Sequence, residues 1–425
     1  MSLKLFPGTS MSQIQPSNYV KPGVGEVFVL CEKKDDRDVS SFCDSLRRDM
    51  LIVGGMTITA FNKMFITITD LKDRLKEISV KKGDKIVIII SDDNKIYDMA
   101  VLLKVKMSLN VHYMKASTLR KSYNEKVRDT TLDKINMALG GTKFLMDKWP
   151  WLDNEVLIFS YDLSSPTGDD MAQFKHIAPS CVGTSHNGGA RREDFLTSFH
   201  YQPKSEIVCD RILELQFKQA LDDFVTTRGN MPNKVLIVRD GIGISQYYQV
   251  FDEEFQTIKR SCSQYAKNQK INNYKPAFAL ILCCKRVEQH VPELVPKNQV
   301  FDKWIKSVSF RDQENVEHKV YDIYLKHGIP TSNHVKYALL HSDLEDLHIA
   351  EQFRAMILQL VKCRQERGDI KIPNCVHLAD KIALLGLKLI KNTLEQGEQL
   401  PTTSTTSGRM EYDYVAMRNL FSNNE

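Results

Sequence analysis

Two stretches of this chain share one shape. NEVLIFSYDLSSP (residues 154–166) and NKVLIVRDGIG (233–243) each carry an unbroken run of apolar β-formers that ends at an aspartate, Asp162 or Asp240, and then breaks into small turn residues. Continuous rather than alternating hydrophobicity is what a strand covered on both faces requires. Nearer the start, EVFVLCEKK (26–34) predicts a strand and DVSSFCDSLRRDMLIVGG (38–55) a helix closed by glycines. GDKIVIIISDDNKIYDMAVLLKVKM (83–107) predicts strand, loop and helix, and TTLDKINMALGG (130–141) a helix started by Thr and ended by Gly140 and Gly141. Such alternation of strand and helix predicts a small layered α/β unit with parallel strands.

The order changes after Trp149-Pro150. Strand patterns come first, in EVLIFSYD (155–162), CVGTSHNGG (181–189) and REDFLTSFHYQ (192–202). A helix is expected from Ser205 to about Arg228, with Leu213, Phe217, Ala220 and Phe224 on one stripe and Gly229 past its end. The strand into Asp240, a helix through YYQVFDEEFQTIKRSC (247–262) and the strand AFALILCCKR (277–286) follow, which predicts a mixed α/β sheet. Later, VHLADKIALLGLKLI (376–390) predicts a helix, and TTSTTSGRMEY (402–412) a surface loop, because it lacks periodic apolar residues. The expected organisation is a leader at 1–25, a first α/β domain at 26–148 and a second at 149–425. No internal repeat is visible.

With 425 residues, 42% hydrophobic and 26% charged, the chain is globular in composition and long enough for two or three domains. Its nine cysteines form no C-x-x-C pair, which fits reduced thiols better than a disulfide framework or a zinc site. No apolar run reaches signal-peptide or membrane-helix character, so the expectation is a soluble cytoplasmic or nuclear protein with no membrane partner. The net charge of +5 is unevenly spread: residues 95–148 hold eleven Lys or Arg against five Asp or Glu. That stretch is either a solvated basic face or a polyanion site.

The aspartates supply the chemistry. Functional groups in open α/β sheets gather at the carboxyl ends of the strands. If the strands ending in Asp162 and Asp240 are neighbours, two carboxylates share one small volume, which is costly unless one is protonated or a cation sits between them. Magnesium suits such a site, and a pair of magnesium ions about 3.5–4 Å apart can activate water and stabilise the leaving oxygen of a phosphodiester. The rival explanation is ordinary, since Asp before a turn at a strand end is common. Glu206 likewise reads as a helix-start carboxylate facing the dipole, and His377 as a helix N-terminal residue bonded to backbone.

SYDLSSP (160–166), KSEIVCD (204–210), VRDGIGISQYYQV (238–250), CCKR (283–286) and IPNCVHLADKIA (372–383), in this order, resemble the PIWI domain of the Argonaute/Piwi family, an RNase H-like fold. Upstream, NKIYDMAV (94–101) and DKINMALGG (133–141) resemble the family's Rossmann-like MID domain, which holds the 5′ end of a guide. The resemblance implies a small-RNA-guided silencing effector, an RNA endonuclease that cuts a complementary target RNA with two Mg²⁺ ions and works with silencing-complex proteins. It implies Asp162, Glu206, Asp240 and His377 as catalytic residues, with Asp162, Asp240 and His377 on the metal. A different class of function, a silent guide-binding module that represses by occupancy or by recruiting partners, is the alternative.

The resemblance also implies guide contacts from Tyr97, Asn110, Lys134, Lys285 and Arg286. Tyr97 is expected to stack on the first guide base. Arg239 serves either an internal ion pair or a guide phosphate. Two departures thin the expected phosphate pocket: Val101 and Ala138 stand where the family usually presents basic residues. The filled set of four catalytic positions in so divergent a chain resembles family branches expanded in nematodes.

Overall fold

Four short strands, each returned by a helix, build the first unit, Met1–Leu145. In chain order these are β1 (Val24–Cys31), α1 (Asp36–Ile52), β2 (Thr57–Phe65), α2 (Leu71–Ser79), β3 (Lys85–Ile90), α3 (Asn94–Lys106), β4 (Val111–Met114), α4 (Ala116–Ser122) and α5 (Glu125–Ala138). The computed structural model describes residues 19–421 apart from 53, 123–124, 148–151, 286–303, 326–334, 344–348, 364–371 and 405–409. All strand pairs of this sheet are parallel, in the order β2-β1-β3-β4. Strand alternation then splits the core in two. Val27, Val29 and Cys31 pack with Phe42, Leu46, Leu132 and Ile135 of α1 and α5, while Phe28 and Leu30 pack with Leu71, Leu75, Ile96 and Leu103 of α2 and α3. Helices on both faces of a parallel sheet make this unit Rossmann-like. β2 and α2 were not expected: β2 is a sheet edge with no fully buried residue and so carries no apolar run.

The second unit begins at Met146. It contains β5 (Val156–Ser164), β6 (Pro179–His186), β7 (Leu196–Pro203), α6 (Asp210–Arg228) and β8 (Lys234–Asp240). One turn, α7 (Tyr247–Gln249), runs through a π-helical segment (Val250–Phe255) into α8 (Gln256–Asn268). Then come β9 (Ala277–Cys284), β10 (Trp304–Arg311), β11 (Glu317–Leu325), β12 (Val335–Ser342), α9 (Ile349–Lys362), α10 (Asn374–Glu395), β13 (Thr402–Ser404), β14 (Met410–Tyr412) and α11 (Tyr414–Asn419). Eight strands form one sheet in the order β10-β11-β12-β9-β8-β5-β6-β7, parallel across β5, β8 and β9 and antiparallel elsewhere. One face of the central strands (Leu157, Phe159, Val235, Ile237) packs on Phe217, Phe224 and Ile258 of α6 and α8. The other (Val156, Ile158, Leu236, Val238) packs on Phe353 and Met356 of α9 and Cys375 and Val376 of α10. This mixed sheet with helices on both faces is RNase H-like.

Two expectations are corrected here. The long helix starts at Asp210 rather than Ser205, because tertiary side chains take the backbone groups of the preceding residues: Gln202 Nε2 donates to Ile207 O (2.8 Å), Gln202 Oε1 accepts from Cys209 N (3.0 Å) and Glu254 Oε1 from Val208 N (2.7 Å). Residues 402–412 contain the paired strands β13 and β14 rather than a plain loop. All nine cysteines are unpaired thiols. No helix among the described residues is long and apolar enough to cross a membrane.

Candidate active site

Strand alternation decides where the two aspartates point. β5 and β8 run parallel with Tyr161 opposite Arg239, so Asp162 and Asp240 are the next residues along adjacent strands. Both continue the face of Ile158 and Val238, the face that α10 covers. The chain turns away after Asp240 at Gly241, whose φ of +79° lies in the left-handed region that glycine adopts without steric cost. Asp162 and Asp240 are only 7% and 1% exposed.

From the helix side, α10 brings Asp380 to this place. The helix can lie close because Gly183 of β6 has no side chain: a Cβ there would stand 2.2 Å from Ala379 O and 2.6 Å from Ala383 N. Lys285, the first residue past β9, joins the set, with its ammonium paired to Asp240 Oδ2 and, at 2.9 Å, to Asp380 Oδ2. Burial pushes the Asp240 carboxyl up to about 7; the neighbouring Asp162 adds to this, and Lys285 opposes it. Asp162 is also raised by burial, against the pull of Lys285 and Arg239. Burial alone would lower the Lys285 ammonium, but Asp240, Asp162 and Asp380 hold it above its usual value. Asp240 Oδ1 is buried and takes no hydrogen bond among the described residues.

Arg239 projects to the opposite face and is 1% exposed. Its Nε donates to Glu254 Oε2 (3.2 Å), Nη1 to the carbonyl of Asp240, and Nη2 to the carbonyl of Glu206 (2.8 Å). Glu254, fully buried, also accepts from Tyr161 Oη at 2.9 Å. Of the two roles considered for Arg239, the structure shows the internal ion pair. The pair ties β5, β8 and the loop before α6 together beneath the aspartates. Glu206 sits on that loop, exposed, and its carboxylate accepts from Gln246 Nε2 at 2.8 Å.

His377 lies one turn before Asp380 and is half-buried, and its backbone N–H donates to Pro373 O at 3.0 Å. From α10, Asp380 reaches the Lys285 cluster, a residue the sequence reading missed. Glu254 and Gln246 were missed too. A signal for Asp380 was present: its neighbours four residues before and three after, Val376 and Ala383, are buried, so the acid interrupts the packed stripe of the helix.

In the first unit, Tyr97 of α3 packs its ring on Tyr113 of β4, with centroids 4.6 Å apart. Lys134 of α5 places Nζ 3.5 Å from His112 Nδ1. Because 112 and 113 alternate, Tyr97 and Lys134 flank the edge strand β4 from its two faces. Asn110 is exposed and its amide donates to Ala138 O at 3.3 Å, which places it beside one of the two positions expected to be basic. The start of α3 is acidic: Asp93 caps it by accepting from Lys95 N (2.8 Å), and Asp92 accepts from Ser117 N (3.0 Å) and Oγ (2.9 Å). Lys285 is described above; Arg286 lies outside the described residues.

Comparison with known proteins agrees with this architecture. The profile of the Piwi domain matches residues 85–391. Argonaute 7 of Arabidopsis thaliana is 26% identical over 232 residues, which is 51% of this chain and 22% of that protein. A Caenorhabditis elegans protein, putative protein tag-76, is 20% identical over 280 residues, 61% of this chain and 26% of its own length. The chain thus spans about a quarter or less of these curated relatives. Among solved structures, Kluyveromyces polysporus Argonaute with a guide RNA superposes with a TM-score of 0.67 at 15% identity, covering 95% of this chain and 52% of that one. The MID-PIWI domains of N. crassa QDE-2 AGO superpose with a TM-score of 0.59 at 14% identity, covering 96% of both chains. The match of the Piwi profile over most of the chain, on an RNase H-like sheet preceded by a Rossmann-like one, makes this protein a divergent member of the Argonaute/Piwi family.

Proposed function

We propose that the chain is the guide-binding and target-cleaving part of a small-RNA-guided silencing effector, a Mg²⁺-dependent endonuclease acting on RNA complementary to its guide. The observation that carries this is the convergence of Asp162, Asp240 and Asp380 at the carboxyl ends of parallel strands, with a buried Asp240 oxygen lacking a donor. Among the described residues no three His, Cys, Asp or Glu side chains are arranged to hold a metal ion; in the carboxylate cluster, the Lys285 ammonium lies between Asp240 and Asp380. The donor set nonetheless suits magnesium, being all hard carboxylate oxygens that carry more negative charge than one ammonium balances. Asp162 and Asp240 would hold the ions, joined from α10 by Asp380 and by His377 one turn before it. When bound, a pair of such ions supplies an activated water and stabilises the leaving oxygen.

The chain's own residues do the rest. Arg239 and Glu254 fix the strand ends so that the aspartates keep their spacing. Gln246 holds the Glu206 carboxylate at the exposed edge, where it can accept a hydrogen bond from the attacking water. Tyr97 offers a stacking surface, and Lys134 a charge, to the guide end. The silent-binder alternative is favoured by the Lys285 ammonium, which lies between Asp240 and Asp380 where an ion would sit.

The test is cleavage of a complementary RNA by guide-loaded protein in Mg²⁺. Asp162→Asn, Asp240→Asn and Asp380→Asn are expected to abolish cutting while guide binding persists, and His377→Ala to lower it strongly. Cleavage surviving the aspartate changes overturns the nuclease reading, and full cutting by His377→Ala leaves Asp380 as the α10 residue of the site.

A further inference from the structure

Lys285 is held by carboxylates that a cation would need. Its ammonium pairs with Asp240 and Asp380, and its side chain remains 31% exposed. An ammonium is a compact charge with three donors on a flexible four-carbon stem. A divalent ion bound by the same carboxylates needs their oxygens and repels the ammonium beside it. Both cannot occupy the cluster.

We propose that Lys285 is a built-in counter-ion, seated among the aspartates in the ion-free chain and displaced when a divalent cation enters. This rests on the metal-dependent reading above and adds a consequence to it. Expelling the lysine opposes cation binding in the protein alone. A nucleic-acid phosphate at the sheet edge offers the expelled ammonium another anionic partner, so polyanion binding and cation binding reinforce each other, and linkage makes the effect reciprocal. The free protein therefore keeps its cutting centre discharged, and RNA arms it.

Calorimetric titration of the full chain with Mn²⁺, without and with a single-stranded RNA, tests this. Wild type is expected to bind Mn²⁺ about fivefold more tightly with RNA present, the scale of one exposed ion pair of about 1 kcal/mol. Lys285→Met is expected to bind Mn²⁺ tightly without RNA and to gain little from it, and Lys285→Arg to behave as wild type. Melting supplies a second readout: Lys285→Met should melt lower than wild type in EDTA and show the larger rise on adding Mn²⁺. A Lys285→Met chain that folds only with Mn²⁺ is the same result in stronger form. If it folds in neither condition, Lys285→Gln, which keeps a hydrogen-bond donor for Asp240, carries the titration. Equal Mn²⁺ affinity in wild type and the neutral variants, with heat that disappears in Asp240→Asn, overturns the counter-ion role and leaves the metal site standing. No Mn²⁺ binding in any folded variant removes the site, and the proposal with it.

Discussion

The two units treat acidic residues at the ends of their parallel strands in opposite ways. At the end of β3 in the first unit, Ser91 Oγ donates to Glu32 (2.6 Å), Asp92 accepts from Ser117, and Asp93 accepts from Lys95 N. Each of these acids has a donor, and Asp92 is exposed to water as well. At the end of β5 and β8 in the second unit, Asp162, Asp240 and Asp380 share Lys285, and one oxygen of the buried Asp240 has no donor. A native fold retains an unsatisfied buried acid only against a cost, since desolvation without a partner is unfavourable by about 1–3 kcal/mol or more. Acids such as Asp92 and Asp93 cap and join elements; around Asp240, where three carboxylates lie near one lysine, the unmet charge is where an external group is expected.

The largest effect that would sharpen this contrast lies in catalysis. Asp162→Asn and Asp240→Asn should lower single-turnover cleavage by about a thousandfold or more, on the order of 4 kcal/mol of barrier, while Asp92→Asn leaves the rate near wild type. Equal losses from Asp92 and Asp240 would erase the distinction.

Beneath the aspartates, the Arg239–Glu254 pair is buried on both sides, and removing one partner strands a charge. Glu254→Gln should cost about 3–5 kcal/mol of stability, read as a lower midpoint in urea. Because Arg239 also holds the carbonyls of Asp240 and Glu206, the variant should lose cleavage as well as stability.

The next effect is a pH dependence confined to the second unit. His186 is 3% exposed, its Nδ1 accepts from Gly188 N at 3.3 Å and its Nε2 faces Asp223 at 3.4 Å. Burial lowers its pKa to about 4, against the pull of Asp223. The unfolded chain then binds the proton first as pH falls, so this stability is fully present above about 6.5 and is lost progressively down to about 4, on the order of 3 kcal/mol. His200, also lowered to about 4 by burial and by Arg418, adds in the same direction. Melting curves from pH 7.5 to 4.5 check this, and His186→Asn should flatten the profile; an unchanged slope would place the acid sensitivity elsewhere.

Smaller again is a direct comparison of two aspartates. Asp93→Ala removes the cap of α3 and should cost about 1 kcal/mol. Asp240→Asn relieves a buried like-charge contact and should leave the ion-free protein as stable as wild type or more so. A lower melting temperature for Asp240→Asn in EDTA would show that its pairing with Lys285 outweighs the burial cost.

Much of this contrast was legible in the sequence because period-two alternation is strict. The runs Val156–Tyr161 and Val235–Arg239 fixed which face the following aspartates take, and their parallel pairing follows from an α/β order. Asp380 was not legible in that way. A helix N-terminus offers His377 and Asp380 one turn apart, and the close approach of α10 allowed by Gly183 is a tertiary contact that no local pattern announces. Glu206 was placed on a helix by extending the apolar stripe of α6 back to Ser205, whereas Gln202 of β7 and the distant Glu254 take the backbone groups that a helix would have used. The strands β2, β10, β11 and β12 went unread; β2 and β10 are sheet edges, where partial exposure dilutes the apolar pattern.

The last comparison concerns the guide end. Tyr97 and Lys134 flank β4, so Tyr97→Ala and Lys134→Ala should each weaken guide binding, the first by the roughly 1–3 kcal/mol that base stacking contributes. Neither loss should depend much on what the 5′ group is. Helix N-termini normally favour phosphate through free N–H groups and the dipole, but Asp93 already takes the Lys95 N–H of α3, and Asp92 adds a second negative charge beside it. Val101 and Ala138 supply no cation where one was expected, and Asn110 donates its amide to Ala138 O. Lys104 and Lys115 remain in the basic stretch, so affinity should fall steeply with salt even where discrimination is weak. Competition between guides identical except for a 5′-monophosphate or 5′-hydroxyl should therefore show a preference of no more than about tenfold, or 1.4 kcal/mol. A larger preference would mean that Lys134, together with other cations, rebuilds a phosphate site despite the acidic cap, and the first unit would then share with the second an anion-binding role that its satisfied aspartates now conceal.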